Sequence, residues 1–329
     1  MNSQIKLSIL IATRKFNQDA NAYSFIEKLN QNGIDFEIIF AEGDNPSKQR
    51  NMLSKHAQGD FILFLDDDSI PKRNLLACYL NTIREHPELK ICGGPSVLVE
   101  NDMYFTNPSI LFFSSAFGIG PVRSRYNPVG KKRNASEKEL ILCNMLIRKD
   151  FFLKTSGFDQ NLYPGEENKF LKSIHANTTI IYDPDAIVFR KPRETIKLFL
   201  QQMFYYGNGR AKHLQLSGPF EYLFLIPMFF TIYIILLVYL INVSVVFVTP
   251  IVLHVFLSLM AIVKNKRLKL TYRQILITPV LFLMGHFYYG FGLIIGILKY
   301  RILKMLFISS RPPQKINIHI VKNFTKIPT

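Results

Sequence analysis

Three adjacent carboxylates, Asp66-Asp67-Asp68, directly follow the apolar run 61–65, Phe-Ile-Leu-Phe-Leu. Side-by-side aspartates repel one another unless a cation or hydrogen-bond donors compensate. An all-oxygen set of this kind suits a hard metal such as Mg2+ or Mn2+, which usually comes with phosphates. The same stretch also reads as a plain acidic turn, because Asp and Ser69 are good helix N-caps and Pro71 suits a first helical turn. A second acidic pair, Glu166-Glu167, follows Gly165 at a predicted helix start, a short spacer after Gly157-Phe158-Asp159. Carboxylates so placed could do acid–base work. Acids stabilised in a first helical turn by the macrodipole are the alternative.

The elements that must hold these residues follow from apolar patterning. Residues 61–65 read as a buried strand of a parallel sheet, so the aspartates stand at its carboxyl end, where open α/β sheets place their ligands. Residues 5–13 read as a first strand and 20–30 as an amphipathic helix ended by Asn32-Gly33. Residues 36–41 form a second strand closed by Glu42-Gly43-Asp44, and 47–57 a capped helix. Alternating strands and helices predict an α/β fold with a mainly parallel, Rossmann-like sheet and right-handed crossovers. Thr13-Arg14 and Glu42-Gly43-Asp44 should then meet the Asp66 cluster along one sheet edge. Further on, the pattern predicts a helix over 75–85, a strand over 89–97 ending near Gly93-Gly94, and a mobile loop over 118–139. Two last strands follow at 178–182 and 186–189. The cluster Lys131-Lys132-Arg133 in that loop reads as an attractor for an anionic acceptor or lipid surface, or as a solvated charge run.

Charge and hydropathy divide the chain. Residues 1–219 carry 28 Lys+Arg against 23 Asp+Glu, whereas residues 220–329 carry 12 against 1 and are also the most apolar part. That combination is unlike a nucleic-acid module and resembles membrane spans with cationic flanks. Residues 223–241 and 243–263 are uncharged runs of spanning length, and 275–298 is a third, interrupted by Pro279 and several glycines. With a cytoplasmic first domain, two crossings return the chain at Lys264-Asn265-Lys266-Arg267-Leu268-Lys269, as the positive-inside rule asks. A third crossing would carry Lys299, Arg301, Lys304, Arg311, Lys315, Lys322 and Lys326 to the wrong side, so 275–298 has no settled course. Residues 194–219 interleave apolar and cationic side chains, as in a helix lying in the headgroup plane. Cys78, Cys92 and Cys143 show no metal-ligand spacing and suit a reducing compartment. The apolar run 7–12 is too short for a signal-peptide core, which again predicts a cytoplasmic domain. The expected divisions are therefore 1–193, 194–219, 220–308 and a basic tail 309–329.

A strand ending in Ala12-Thr13, an acidic turn after the second strand, Lys48-Gln49-Arg50-Asn51, Gly59-Asp60 and Leu65-Asp66-Asp67-Asp68 together resemble the nucleotide-sugar half of family 2 glycosyltransferases of the GT-A fold. Gly157-Phe158-Asp159 and Gly165-Glu166-Glu167 are similar to that family's Gly-Phe-Asp and Glu-Asp elements, with Glu167 where aspartate is commoner. Tyr206-Gly207-Asn208-Gly209-Arg210 resembles a segment that precedes the spans of its membrane-anchored prokaryotic members. The resemblance implies an inverting glycosyltransferase that uses a nucleotide-diphosphate sugar, a lipid-linked or glycan acceptor, and Mg2+ or Mn2+. It implies Thr13, Arg14, Glu42, Arg50, Asp66 and Asp67 around the donor, Asp66 and Asp68 on the metal, and Glu167, with Glu166 as its rival, as the base. Where the family often has a metal-binding histidine stands Arg190-Lys191-Pro192-Arg193, so Arg190 or Arg193 is expected on the phosphates. A polyprenyl-phosphate acceptor, a nucleotidyltransferase and an inactive membrane scaffold remain open as readings of the same residues.

Overall fold

The structure is a computed structural model. It describes residues 5–16, 26, 29, 34–100, 105–175, 178–217, 222–265, 267–306 and 316–322. The helix predicted over 20–30 lies outside these residues apart from Ile26 and Leu29, both buried. Two compact units emerge, one of Met1–Leu98, Ser124–Lys191 and Arg311–Thr329, the other of Val99–Arg123 and Pro192–Ser310.

The first unit is built on β1 (Ile5–Thr13), β2 (Ile34–Glu42), α1 (Pro46–His56) and β3 (Phe61–Asp66). The three strands are parallel, with β1 between the other two, and their register sets Thr13 beside Glu42 and Ala12 beside Asp66. The polar ends therefore do meet on one sheet edge. All five apolar residues of β3 are buried on both faces. At about 1.5–3 kcal/mol for each buried large side chain, this strand is a principal anchor of the sheet. Beyond it come β4 (Ile70–Pro71), α2 (Leu75–Glu85), β5 (Ile91–Gly93) and β6 (Ser96–Leu98). The strand predicted over 89–97 is thus two strands in different sheets, because the chain turns at Gly94-Pro95, where a Cβ on Gly94 would strike the Ala186 carbonyl.

After α3 (Thr106–Ser114) and α4 (Ala116–Ile119) of the second unit, the chain forms β7 (Arg133–Asn134), β8 (Asn144–Arg148), α5 (Lys149–Leu153), α6 (Glu166–Ile174), β9 (Ile180–Tyr182) and β10 (Val188–Arg190). The loop predicted over 118–139 instead contains a 3-10 turn, Gly120–Arg125, and the short strand β7. Two of the three cations in its Lys131-Lys132-Arg133 cluster have acidic partners: Lys132 binds Glu85 at 2.7 Å, and Arg133 binds Glu139. The main sheet runs β11-β2-β1-β3-β8-β5-β9-β7, and a smaller one runs β4-β10-β6. It is mixed rather than parallel throughout, since β8 is antiparallel to both β3 and β5.

The outermost strand, β11 (Asn317–Lys322), comes from the stretch predicted as a basic tail, and pairs antiparallel with β2. Its alternating Ile316, Ile318 and Ile320 explain the strand.

The second unit also holds α7 (Ile196–Ser217), α8 (Ile226–Val243), α9 (Thr249–Lys264) and α10 (Tyr272–Leu306). Tyr222–Val243, Val245–Lys264 and Tyr272–Tyr300 are long and apolar enough to cross a membrane. The third is one continuous helix despite Pro279. Its glycines permit close approach: a Cβ on Gly292 would strike the Phe204 carbonyl of α7, and one on Gly290 the Pro227 carbonyl of α8.

Candidate active site

Asn51 and Gly157 join two motifs far apart in sequence. The Asn51 amide donates to the Phe158 carbonyl at 2.7 Å and accepts from the Phe158 N–H at 2.8 Å. Gly157 has φ +65°, a left-handed conformation natural for glycine, and a Cβ there would meet Asn51 Oδ1 at 2.6 Å. This clamp sets α1 against the chain that leads into α6. Asp159 is held in turn by Lys169 of α6 at 2.6 Å.

Arg50, the residue before Asn51 on α1, reaches the centre. Its guanidinium donates to Asp66 Oδ1 at 2.7 Å and to Glu166 Oε1 at 2.7 Å. Burial opposes its charge, while Asp66 and Glu166 raise its pKa above the ordinary value. Glu166 is 3% exposed. Burial pushes its carboxyl up to about 7 against the pull of Arg50, and the neighbouring Glu167 adds to the rise. Gly165, at φ +102°, caps α6 and turns both glutamates into its first turn. Glu167 lies 3.2 Å from Arg125, which also donates to Asn168 at 2.6 Å and to the Lys138 carbonyl at 2.6 Å.

At the sheet edge the three aspartates diverge. Asp67 turns to the Thr13 hydroxyl, which donates to it at 2.8 Å. Burial pushes the Asp67 carboxyl above its ordinary range despite that bond. Asp66 and Asp68 share Arg190, whose Nη2 donates to Asp68 Oδ2 at 2.9 Å while its Nη1 lies 3.6 Å from Asp66 Oδ2. Arg190, expected on the phosphates, thus contacts Asp66 and Asp68 in this structure. Glu42 accepts from the Phe16 N–H at 3.0 Å, and His319 of β11 lies 3.7 Å from Glu42 while stacking on Phe16 at 4.3 Å. Arg14 is exposed just beyond β1.

Arg50 thus gathers Asp66 and Glu166, Arg190 gathers Asp66 and Asp68, and β1 brings Thr13 to Asp67. Sequence reasoning missed Arg125 and His319. Arg125 stands in a stretch without periodicity, whereas the alternation around His319 was a readable strand signal.

Among the described residues, no group of three or more His, Cys, Asp or Glu side chains is gathered to hold a metal ion. Asp66 and Asp68 nevertheless converge on one cationic group, Arg190. Mg2+ and similar ions are commonly held by one or two carboxylates plus substrate phosphates. The pair fits a metal whose remaining ligands arrive with a diphosphate.

No curated protein sequence matches the chain. Among solved structures it is similar to the mannosyltransferase PcManGT from Pyrobaculum calidifontis, solved in complex with GDP-Man and Mn2+. That match has 11% identity and a TM-score of 0.42 and covers 67% of each chain. It is also similar to S. aureus TarS, with 13% identity and a TM-score of 0.39, covering 65% of this chain and 44% of that one. The profile of glycosyl transferase family group 2 matches residues 61–263, a stretch that takes in the aspartates, Gly157-Phe158-Asp159, both glutamates and the first two apolar helices. An α/β sheet with acids on its carboxyl edge, an arginine tying Asp66 to Glu166, and that match over more than half the chain lead to one conclusion: the protein is a glycosyltransferase and belongs to glycosyl transferase family group 2.

Proposed function

We propose that the protein transfers a sugar, with inversion, from a nucleotide-diphosphate sugar to a hydroxyl of a lipid-linked or glycan acceptor at a membrane. The observation that carries this reading is Arg50, which at 2.7 Å from each ties the donor-side Asp66 to the acceptor-side Glu166. Thr13, Arg14 and Glu42 would border the nucleotide, and Asp66 and Asp68 would hold Mg2+ or Mn2+. When bound, that ion offsets charge developing on the departing diphosphate. Glu167 acts as the base: it is the more exposed of the two glutamates, at 12% against 3% for Glu166. The acceptor oxygen bonds to the anomeric carbon as the bond from that carbon to the diphosphate oxygen breaks. The hydroxyl proton passes to Glu167, and the nucleoside diphosphate leaves with the bonding pair. Glu166 and Asp67 are positioning residues, the first through Arg50 and the second through Thr13.

The reading extends to a multi-pass protein whose catalytic unit is cytoplasmic. Because β11 pairs with β2, the chain before and after the apolar helices lies on one side of the bilayer, and the number of crossings is even. Lys264, Lys266, Arg267, Lys269 and Arg273 lie around the link between α9 and α10. Only crossings by α8 and α9 keep them, with the cations after Leu298, on that side. α10 is then the helix that does not cross. Its apolar window is 39% buried, against 6% and 17% for the other two. It also packs on α7, which carries Lys197, Arg210 and Lys212, with Asn208 accepting from the Tyr300 hydroxyl at 3.1 Å.

The test incubates detergent-purified protein with a panel of nucleotide sugars, Mn2+ and a membrane lipid extract as acceptor source, and measures released nucleoside diphosphate. Release that needs both a donor and the extract is expected. No release from any donor removes the reading.

A further inference from the structure

We propose that Arg190 is the resting counter-cation of Asp66 and Asp68. A divalent ion then reaches these carboxylates only together with the donor diphosphate, which draws Arg190 onto its own oxygens. This rests on the donor reading above and adds an order of binding to it.

The argument begins with β10. Its pairing with β4 sets Phe189 opposite Ile70, so Arg190 comes off the strand next to the turn that carries Asp66, Asp67 and Asp68. Its fork meets Asp68 at 2.9 Å and Asp66 at 3.6 Å. A guanidinium does not lose its proton at any pH the protein meets, so the carboxylates that a metal would need are already neutralised by a permanent charge. Metal ion alone must expel that charge and leave Arg190 without its two carboxylates, with only the Cys143 sulfur at 3.7 Å beside it. It would gain only two carboxylates in return, since no third protein ligand is gathered among the described residues.

A diphosphate changes both sides of the exchange. It supplies the missing oxygen ligands to the ion and gives Arg190 a new anion, which the planar fork matches as well as it matches a carboxylate. Asp68 is 47% exposed and the Arg190 side chain 23%, so the pair is open to an incoming ligand. Asp67, turned to Thr13, takes no part.

The experiment uses the full chain in detergent and measures Mn2+ binding by electron paramagnetic resonance, first with Mn2+ alone and then with UDP or GDP. Arg190→Ala is expected to bind Mn2+ alone about tenfold or more tightly than wild type, and Asp68→Asn added to that variant should abolish the gain. The factor by which a nucleoside diphosphate raises Mn2+ affinity should be larger in wild type than in Arg190→Ala. Melting curves check folding, and Arg190→Gln, closer in volume, serves if the alanine variant does not fold. Equal Mn2+ affinity in wild type and variant, with a nucleoside diphosphate still bound by both, overturns the proposal alone. Failure of UDP and GDP to bind, with or without Mn2+, overturns the donor reading and this proposal with it.

Discussion

Arg50 donates to Glu166 across 116 positions of sequence, at 2.7 Å and with only 6% and 3% of the two side chains exposed. Removing the arginine leaves the buried Glu166 without its cation and Asp66 with only the longer contact to Arg190. Arg50→Ala should cost about 3–5 kcal/mol of stability and lower the melting temperature by many degrees. Arg50→Lys, which cannot reach both acids with a fork, should recover part of the stability but little of the turnover. A melting curve for Arg50→Ala that overlays wild type would show that the bridge bears no weight.

Glu167 and Glu166 should separate kinetically. If Glu167 is the base, Glu167→Gln is expected to lower kcat by about 10²–10⁴ while leaving nucleotide binding intact, since the amide keeps the side chain's shape beside Arg125 but cannot take the proton. Glu166→Gln keeps the shape at Arg50 and should cost less in kcat. If Glu167→Gln turns over normally and Glu166→Gln does not, the roles are reversed. Full turnover in both variants would favour an acceptor phosphate, which needs no base.

Glu166 also predicts a pH dependence of stability. Its native pKa of about 7 lies above the ordinary 4.5. Between these values the native state keeps a proton that the unfolded chain has released. Stability is therefore fully favoured below the lower value and lost as pH rises toward the upper one, by about 3 kcal/mol. From pH 5 to 7.5 the melting temperature of wild type should fall further than that of Glu166→Gln, whose side chain cannot ionise. Parallel falls would assign the effect to other groups.

Membrane topology can be read with single cysteines in a chain lacking Cys78, Cys92 and Cys143. Ser244→Cys should react with an impermeant maleimide from outside intact cells. Lys269→Cys and Asn317→Cys should react only after permeabilisation. Labelling of position 317 from outside would mean three crossings and a broken β11–β2 pair.

Much of the site was legible because its residues sit where periodicity stops abruptly. Five apolar residues ending in Asp66 announce both a buried strand and the place where it meets solvent, and Gly157 and Gly165 mark turns that deliver Phe158 and Glu166. Less legible were features fixed by long-range pairing. Nothing near Asn144 says that β8 enters antiparallel between β3 and β5, since a short Met-Leu-Ile run fits either direction. Arg125 reaches Glu167 from a segment with no pattern, and its role exists only once α6 is in place. The cationic character of the last stretch masked the alternation that makes β11 a strand.

That last strand has a consequence for biogenesis. β2 pairs with residues made some 275 positions later, after every apolar helix has emerged from the ribosome. Until then the edge of the sheet has unpaired N–H and C=O groups, the kind of surface on which nascent chains aggregate. Completion of the sheet is thereby tied to synthesis of the apolar helices: a chain cut short among them would keep its aspartates and glutamates but leave a raw edge for chaperones and proteases to recognise.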